Sequence, residues 1–405
     1  MLSLVENNLN IKNLEIAFNY KNNLQLKRTY YVFKLLQLPR LVTLFTILSK
    51  GIIKYNLPFK YLIKQTVFKV FCAGESIEDA FKTIHKLKKY NVKSVLDYVS
   101  EGEKDEQSFI LNDKIIKSNI VKIGKETPGN YISVKLSGLE NPNFFKKINN
   151  SIFSKTVNEN QRFEIFIRRF DLICKTAYEN NVLIYIDAED RFMQDAFDEV
   201  TEHMMQKYNK KNAVIFNTVQ MYLKDRLEYI DHLICDGKEK NYIPGIKLVR
   251  GAYAEKERIT ALNENKKSPV YDTKTETDDA FNLAIKKCLS QYKVVDTCIA
   301  THNEKSTLLA IECIKKYGIP NSEHRVRFSQ LYGMSDHLTF NLAKNGYSTS
   351  KYLPYGKVTK AIPYLIRRSE ENTSINGQIS EEVIRLKTEL NRRKINIQIS
   401  QFHIV

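Results

Sequence analysis

The chain has 405 residues, 43% of them hydrophobic, and a formal net charge of +17. That length provides one large domain or two ordinary ones with material for a substantial core, and no apolar run is long enough for a transmembrane helix. Six scattered cysteines (Cys72, Cys174, Cys235, Cys288, Cys298, Cys313) show no CxxC spacing, which fits a reduced, intracellular protein without a zinc site, and no block of five or six basic residues marks a nucleic-acid groove.

The N-terminal MLSLVENNLNIKN lacks the flank and apolar centre of a signal peptide and is not the Arg-rich, acid-poor sequence of a mitochondrial presequence. Residues 1–90 read as a helical region. Its stretch Tyr30–Val70 spaces apolar residues by three and four, with Pro39 and Pro58 as punctuation. Such a region packs as a cap on the main domain or presents an amphipathic face to a membrane or partner.

From residue 92 the rhythm changes. Short apolar runs alternate with longer amphipathic segments. The runs are 92–99, 130–136, 182–188, 212–220, 243–253, 294–303, 325–333 and 346–356, with helix-like stretches such as Gln161–Asn180, Gln194–Tyr208 and Asp278–Tyr292 between them. Continuous apolar strands separated by helices imply a parallel sheet covered by helices, and eight of them predict an α/β fold, a distorted (βα)8 barrel over 91–373 with a C-terminal extension over 374–405. The competing fold is an open doubly wound sheet. It usually carries a glycine-rich phosphate turn, and no GxGxxG occurs among 14 glycines.

Nearly every run ends in polar groups: Lys135, then Asp187 with Glu189 and Asp190, Asn217 and Gln220, Lys247 and Arg250, Thr301 and His302, Gln330, and Tyr352. In a barrel these ends converge on one mouth, where chemistry is built. Each has a plainer reading. Lys135 could snorkel from a strand end, Asp187 could cap a helix, and a lone histidine is more often structural than reactive. Their shared register favours the mouth. No HxH or HExxH pair supports a metal. The cations favour an anionic ligand.

The last stretch, Lys351–Asn372, reads strand, turn (Pro354, Gly356) and a helix from about Val358. It sets Tyr352 and Tyr364 around the turn and the adjacent Arg367 and Arg368 one helical turn before Glu371. Two neighbouring guanidiniums suit a carboxylate; the plainer reading is a basic surface helix with an Arg367–Glu371 pair.

In order, KLSG (135–138), IDAED (186–190), FNTVQMYL (216–223), GIKLVRGAY (245–253), ATHN (300–303), FSQLYGM (328–334) and YLPYG…PYLIRRSEEN (352–372) resemble the motifs of the proline dehydrogenase (proline oxidase) family, and FCAGES (71–76) is similar to a further element. The likeness runs from about residue 70 to 373. It implies a distorted barrel with non-covalent FAD that oxidises L-proline to Δ1-pyrroline-5-carboxylate and passes electrons to a membrane quinone. By similarity, Arg367 and Arg368 would clamp the proline carboxylate, with Lys135 on that side. Tyr253, Tyr352 and Tyr364 would pack around the ring, Leu248 beneath it, and Asp187 would hold the ion-pair network. Gln220, Lys247, Val249, Gly251, Thr301, His302, Gln330 and Glu371 would contact the flavin. Lys247 stands where many members have arginine, which keeps the charge and loses the fork. The bulky Tyr352 points to proline over hydroxyproline.

Only 37 residues follow the arginine pair, so a fused aldehyde dehydrogenase module is not expected and the chain reads as monofunctional. The expected setting is cytoplasmic or peripheral on the inner face of a bacterial membrane, with no nucleic-acid partner. The alternatives are a hydroxyproline dehydrogenase of the same fold, another barrel enzyme with an anionic substrate and no flavin, and a non-catalytic proline-binding barrel.

Overall fold

Eight parallel strands pair in sequence order, and the eighth closes on the first. They are β1 (Val92–Tyr98), β2 (Tyr131–Val134), β3 (Leu183–Ile186), β4 (Ile215–Gln220), β5 (Gly245–Val249), β6 (Asp296–Ala300), β7 (Val326–Leu331) and β8 (Thr349–Tyr355). This is a computed structural model, and it describes residues 10–38, 40, 42–43, 46, 60–99, 105–148, 157–374 and 378–394.

Among the described residues α1 (Leu14–Phe18) and α2 (Asn23–Leu36) come first, then a short helical stretch from Lys60 to Phe71 and α3 (Ile77–Lys88) before β1. Each strand is followed by a covering helix. These are α4 (Glu106–Glu126), α5 (Val157–Glu179), α6 (Arg191–Tyr208), α7 (Arg226–Glu239), α8 (Lys274–Ser290), α9 (Glu304–Lys316), α10 (Asp336–Lys344) and α11 (Val358–Ser374). The last, α12 (Gln378–Arg392), follows α11. The (βα)8 barrel expected from the eight apolar runs is therefore what forms.

Side chains alternate across each strand, and that period of two sorts the barrel into layers. On β3, Ile184 and Ile186 face the helices, while Leu183 and Tyr185 face the axis. On β5, Ile246 and Leu248 join the outer core with Phe281 and Ile285 of α8. Each fully buried aliphatic side chain of that layer contributes roughly 1.5–3 kcal/mol. The lower barrel is filled by Val95, Tyr131, Tyr185, Phe216 and Cys298. Tyr131 and Tyr185 stack with ring centres 5.1 Å apart, and the Arg327 guanidinium lies 5.0 Å from the Phe216 ring centre. This filling closes the barrel beneath the mouth.

The sequence suggests a strand stop at Pro354, yet β8 runs on to Tyr355. Pairing with β7 ends at Tyr352, and beyond it the Pro354 carbonyl accepts from the Ala73 amide at 2.8 Å. The missing proline N–H is thus not needed by a neighbouring strand. FCAGES supplies this edge contact and then caps α3 through Ser76. A second core joins Phe18, Leu26, Tyr30, Phe33 and Leu36 to Ile362 and Leu365 of α11 and Leu386 and Leu390 of α12. Helices α1, α2 and α12 therefore pack together against α11, the helix that bears the arginine pair. Helix α3, by contrast, packs its Ala80, Phe81, Ile84 and Leu87 into the barrel's own core.

Candidate active site

The C-terminal ends of the strands open into a cavity of about 300 Å³. Fourteen of the sixteen residues given roles by the family resemblance line it: Lys135, Asp187, Gln220, Lys247, Val249, Gly251, Tyr253, Thr301, His302, Gln330, Tyr352, Tyr364, Arg367 and Arg368. Leu248 does not. It is fully buried in the outer core, because Lys247 and Val249 take the inward positions on β5 and the intervening residue must face α8. The expectation that Leu248 lies beneath a substrate ring is corrected accordingly. Glu371 belongs to α11, and its side chain lies outside the described residues. Asn217 also faces outward, donating to Asp198 at 2.7 Å.

Asp187, just past β3, organises one wall. Its carboxylate takes Lys247 Nζ at 2.8 Å, Lys135 Nζ at 3.0 Å and the Tyr352 hydroxyl at 2.6 Å. Lys135 also reaches Asp97 at 3.2 Å. Burial alone would push the Asp187 carboxyl up, but the two ammonium groups outweigh it and hold it well below the usual carboxylate range. Asp187 is therefore a permanent anion at working pH and a poor proton acceptor. Burial, reinforced by the Asp187 charge, raises the Tyr352 phenol, so it stays protonated and donates. The Lys247 ammonium lies 5.4 Å from both the Tyr185 and the Tyr352 ring centres, which fixes it between two aromatic faces.

A second set of lining groups comes from β4 to β7 and the residues that follow them. Gln220 Nε2 donates to the Glu189 carbonyl at 2.9 Å. Arg250 spans three elements through Asp278 (2.6 Å), Thr301 Oγ1 (2.8 Å) and Ser306 Oγ (2.9 Å). Gln330 Nε2 donates to the Thr301 carbonyl at 3.2 Å, and Thr339 donates to its Oε1 at 2.7 Å. His302 Nδ1 meets Ser335 Oγ at 2.9 Å. Burial, then the nearby Lys351 and Arg368 charges, push the imidazole down to about 3, so the ring is neutral. Gly251 has φ +116°, and a Cβ there would stand 1.7 Å from the Tyr222 ring, so only glycine fits this bend after β5. Arg367, Arg368 and Tyr364 cover the cavity from α11, with the Arg368 guanidinium 5.5 Å from the Tyr364 ring centre.

Asp97, Thr218, Ser329 and Leu331 also line the cavity and escape a reading by strand-end polarity. Strand parity would have found them. Asp97 is two residues beyond inward Val95, Thr218 two beyond inward Phe216, and Ser329 and Leu331 follow inward Arg327.

The proline dehydrogenase family model matches residues 80–381, which includes every strand and every described wall of the cavity. The chain belongs to the proline dehydrogenase family. Among its relatives, the proline dehydrogenase 1, mitochondrial, of Drosophila melanogaster is 37% identical over 251 residues, covering 60% of this chain and 37% of the fly protein. The proline dehydrogenase 2, mitochondrial, of Arabidopsis thaliana is 34% identical over 378 residues, covering 82% of this chain and 79% of the plant protein. This chain thus spans little more than a third of the fly enzyme but most of the plant one. In fold it resembles the crystal structure of proline utilization A (PutA) from Bdellovibrio bacteriovorus inactivated by N-propargylglycine. That likeness has a TM-score of 0.72 at 20% identity and covers 91% of this chain and 39% of that one.

Proposed function

We propose that this chain oxidises L-proline to Δ1-pyrroline-5-carboxylate, with FAD as the two-electron acceptor and a membrane quinone taking the electrons onward. The observation that carries the reading is that two devices line one small cavity. The paired Arg367 and Arg368 stand on α11, and the Asp187–Lys135–Lys247–Tyr352 cluster stands at the strand ends. A small cyclic amino acid is held through its carboxylate by the arginine pair, which is suited to two-point recognition. Tyr253, Tyr352, Tyr364 and Leu331 surround its ring and exclude water.

The donor set fits a flavin. Gln220, Lys247, Thr301, neutral His302 and Gln330 would hold the polar edge of the ring system, and Arg250 and Lys274 suit the pyrophosphate. When bound, the flavin supplies the electron acceptor that no side chain of this chain provides. The protein's share is orientation: a fixed carboxylate and a walled ring hold one C–H of the substrate in a single direction. Oxidation of the CH–NH unit to C=N also requires the amine to lose its proton. Asp187 is held too acidic to accept it, so the neutral amine binds after losing its proton to water.

Contact with the membrane would fall to α2. Leu24, Tyr31, Leu35 and the following Leu38 are exposed on one side of it, with Lys27, Arg28 and Lys34 nearby. Asn22 to Leu38 contains no acidic residue. Such a face suits the interface of an anionic bilayer. No helix among the described residues is long and apolar enough to cross a membrane.

The test is the visible spectrum of the purified protein, before and after anaerobic L-proline. Flavin bands that bleach with proline and return with a quinone analogue are expected. A colourless protein that cannot be reconstituted with FAD would refute the reading, and bleaching by hydroxyproline alone would replace the substrate.

A further inference from the structure

Three consecutive residues open α10, and each is tied to a different part of the molecule. Ser335 adopts φ +50°, the left-handed region, and its hydroxyl meets His302 Nδ1. Asp336 is fully buried and gathers three partners: Lys351 of β8 at 2.8 Å, and Lys21 at 2.9 Å and Tyr20 at 2.8 Å from the turn between α1 and α2. His337 pairs with Glu304 at 2.9 Å, and Arg385 of α12 pairs with the same Glu304. One turn further along α10, Thr339 holds the Gln330 amide. The anchoring turn is itself held from the C-terminal end, where Arg393 donates to the Lys21 carbonyl at 2.8 Å and the Phe18 carbonyl at 2.9 Å.

The first turn of α10 therefore holds two cavity-lining side chains, His302 and Gln330, and is itself fixed by residues from both ends of the chain. We infer that Lys21, Tyr20 and Arg385 are positioning residues for the imidazole and amide donors of the cavity, acting through Ser335 and Thr339. A neutral imidazole presents either a donor or an acceptor from Nε2, and the partner at Nδ1 holds the ring in its orientation. The Ser335 hydroxyl, able to donate or accept, is that partner. Its direction is set by a left-handed residue that no neighbouring backbone can easily shift while Asp336 is gripped on both carboxylate oxygens.

The inference rests on the cavity itself for its first readout and on the proposed flavin only for its second. The first uses protein labelled with 15N-histidine and freed of cofactor, with His302→Asn to assign the ring among the seven histidines. Ser335→Gly removes the hydroxyl and suits the left-handed backbone. It is expected to move both His302 ring nitrogens, and Lys21→Met is expected to move them in part, with Lys21→Arg restoring them. The second readout is FAD titration, in which each variant should bind about three- to tenfold more weakly, one hydrogen bond's worth. If Lys21→Met does not fold, Arg385→Met at the far, partly exposed end of the chain of contacts carries the same test. Unmoved His302 nitrogens in Ser335→Gly, or in whichever of the Lys21 and Arg385 variants folds, would overturn the inference. Shifted nitrogens in a protein that never binds FAD would uphold the positioning and sink the flavin reading instead.

Discussion

Asp187→Asn removes one negative charge from between two ammonium groups while keeping the shape of the side chain. Deleting one member of a buried ion pair costs about 3–5 kcal/mol, because the remaining charge is stranded. Here the cost falls at the low end. Lys135 retains Asp97 at 3.2 Å, and the asparagine oxygen still accepts from Tyr352; only Lys247 loses its carboxylate. A loss of about 3 kcal/mol is expected at pH 7. For a chain of this length, with an unfolding entropy of roughly 2.1 cal/mol/K per residue, that lowers Tm by about 3–4 °C. The loss also depends on pH. Burial raises the Asp187 carboxyl, Lys247 and Lys135 lower it by more, and the net shift is downward. Its contribution is then fully present above about pH 4 and fades as pH falls below the unfolded value of about 3.9. Urea unfolding of both proteins from pH 7 to pH 3 should show a gap that narrows through the acid range. A gap of the same size at pH 3 and pH 7, or none at pH 7, would show that the two lysines do not depend on Asp187 as the geometry requires. In turnover, the freed Lys247 loses its fixed position, and a fall in kcat/KM of about 100-fold is expected, as for misplacement by an ångström.

Because His302 is pushed down to about 3 by burial, the unfolded chain binds a proton there that the folded one does not, so wild-type stability relative to His302→Asn should fall as pH drops from about 6.5 toward 3; parallel pH–stability curves would contradict the neutral ring. Tyr352→Ser should shift relative kcat/KM toward hydroxyproline, measured by steady-state kinetics on both substrates, and unchanged discrimination would remove the steric account. Gly251→Ala should lose about 2–6 kcal/mol in urea unfolding, from a left-handed backbone plus overlap with the Tyr222 ring, and wild-type stability would show that Tyr222 moves freely. Replacing Leu24, Tyr31 and Leu35 with serine should weaken sedimentation with anionic liposomes at low salt while leaving turnover with a soluble acceptor unchanged; equal sedimentation would place any membrane contact elsewhere.

The barrel was legible because a parallel strand covered on both faces is a continuous apolar run, and eight such runs separated by helices admit few other arrangements. The mouth was legible because polar side chains at strand ends have no plain role in a core. What polarity did not disclose was direction. Leu248 and Asn217 sit at strand ends with the right neighbours and face the helices, while Asp97 and Leu331 face the axis unnoticed. Counting by twos from one secure inward residue separates them. The junction at Ser335–His337 had no sequence signature. Its partners lie more than 300 residues away at Tyr20 and Lys21, and Arg385 reaches it only through Glu304; such pairings arise from tertiary packing alone.

The side chains lining the cavity carry an uneven charge: Asp97 and Asp187 are set against Lys135, Lys247, Arg250, Lys274, Arg367 and Arg368, a balance of four positive. A pocket of that sign inside low-dielectric walls draws in small anions of every kind. Attraction of this sort hastens arrival and confers no preference among carboxylates, so acetate-sized metabolites would crowd the same entrance. Discrimination then rests with the uncharged surfaces, Tyr253, Tyr352, Tyr364 and Leu331, whose fit to the proposed five-membered ring is indifferent to ionic strength. Added salt would slow the encounter and leave the choice of ligand where it was.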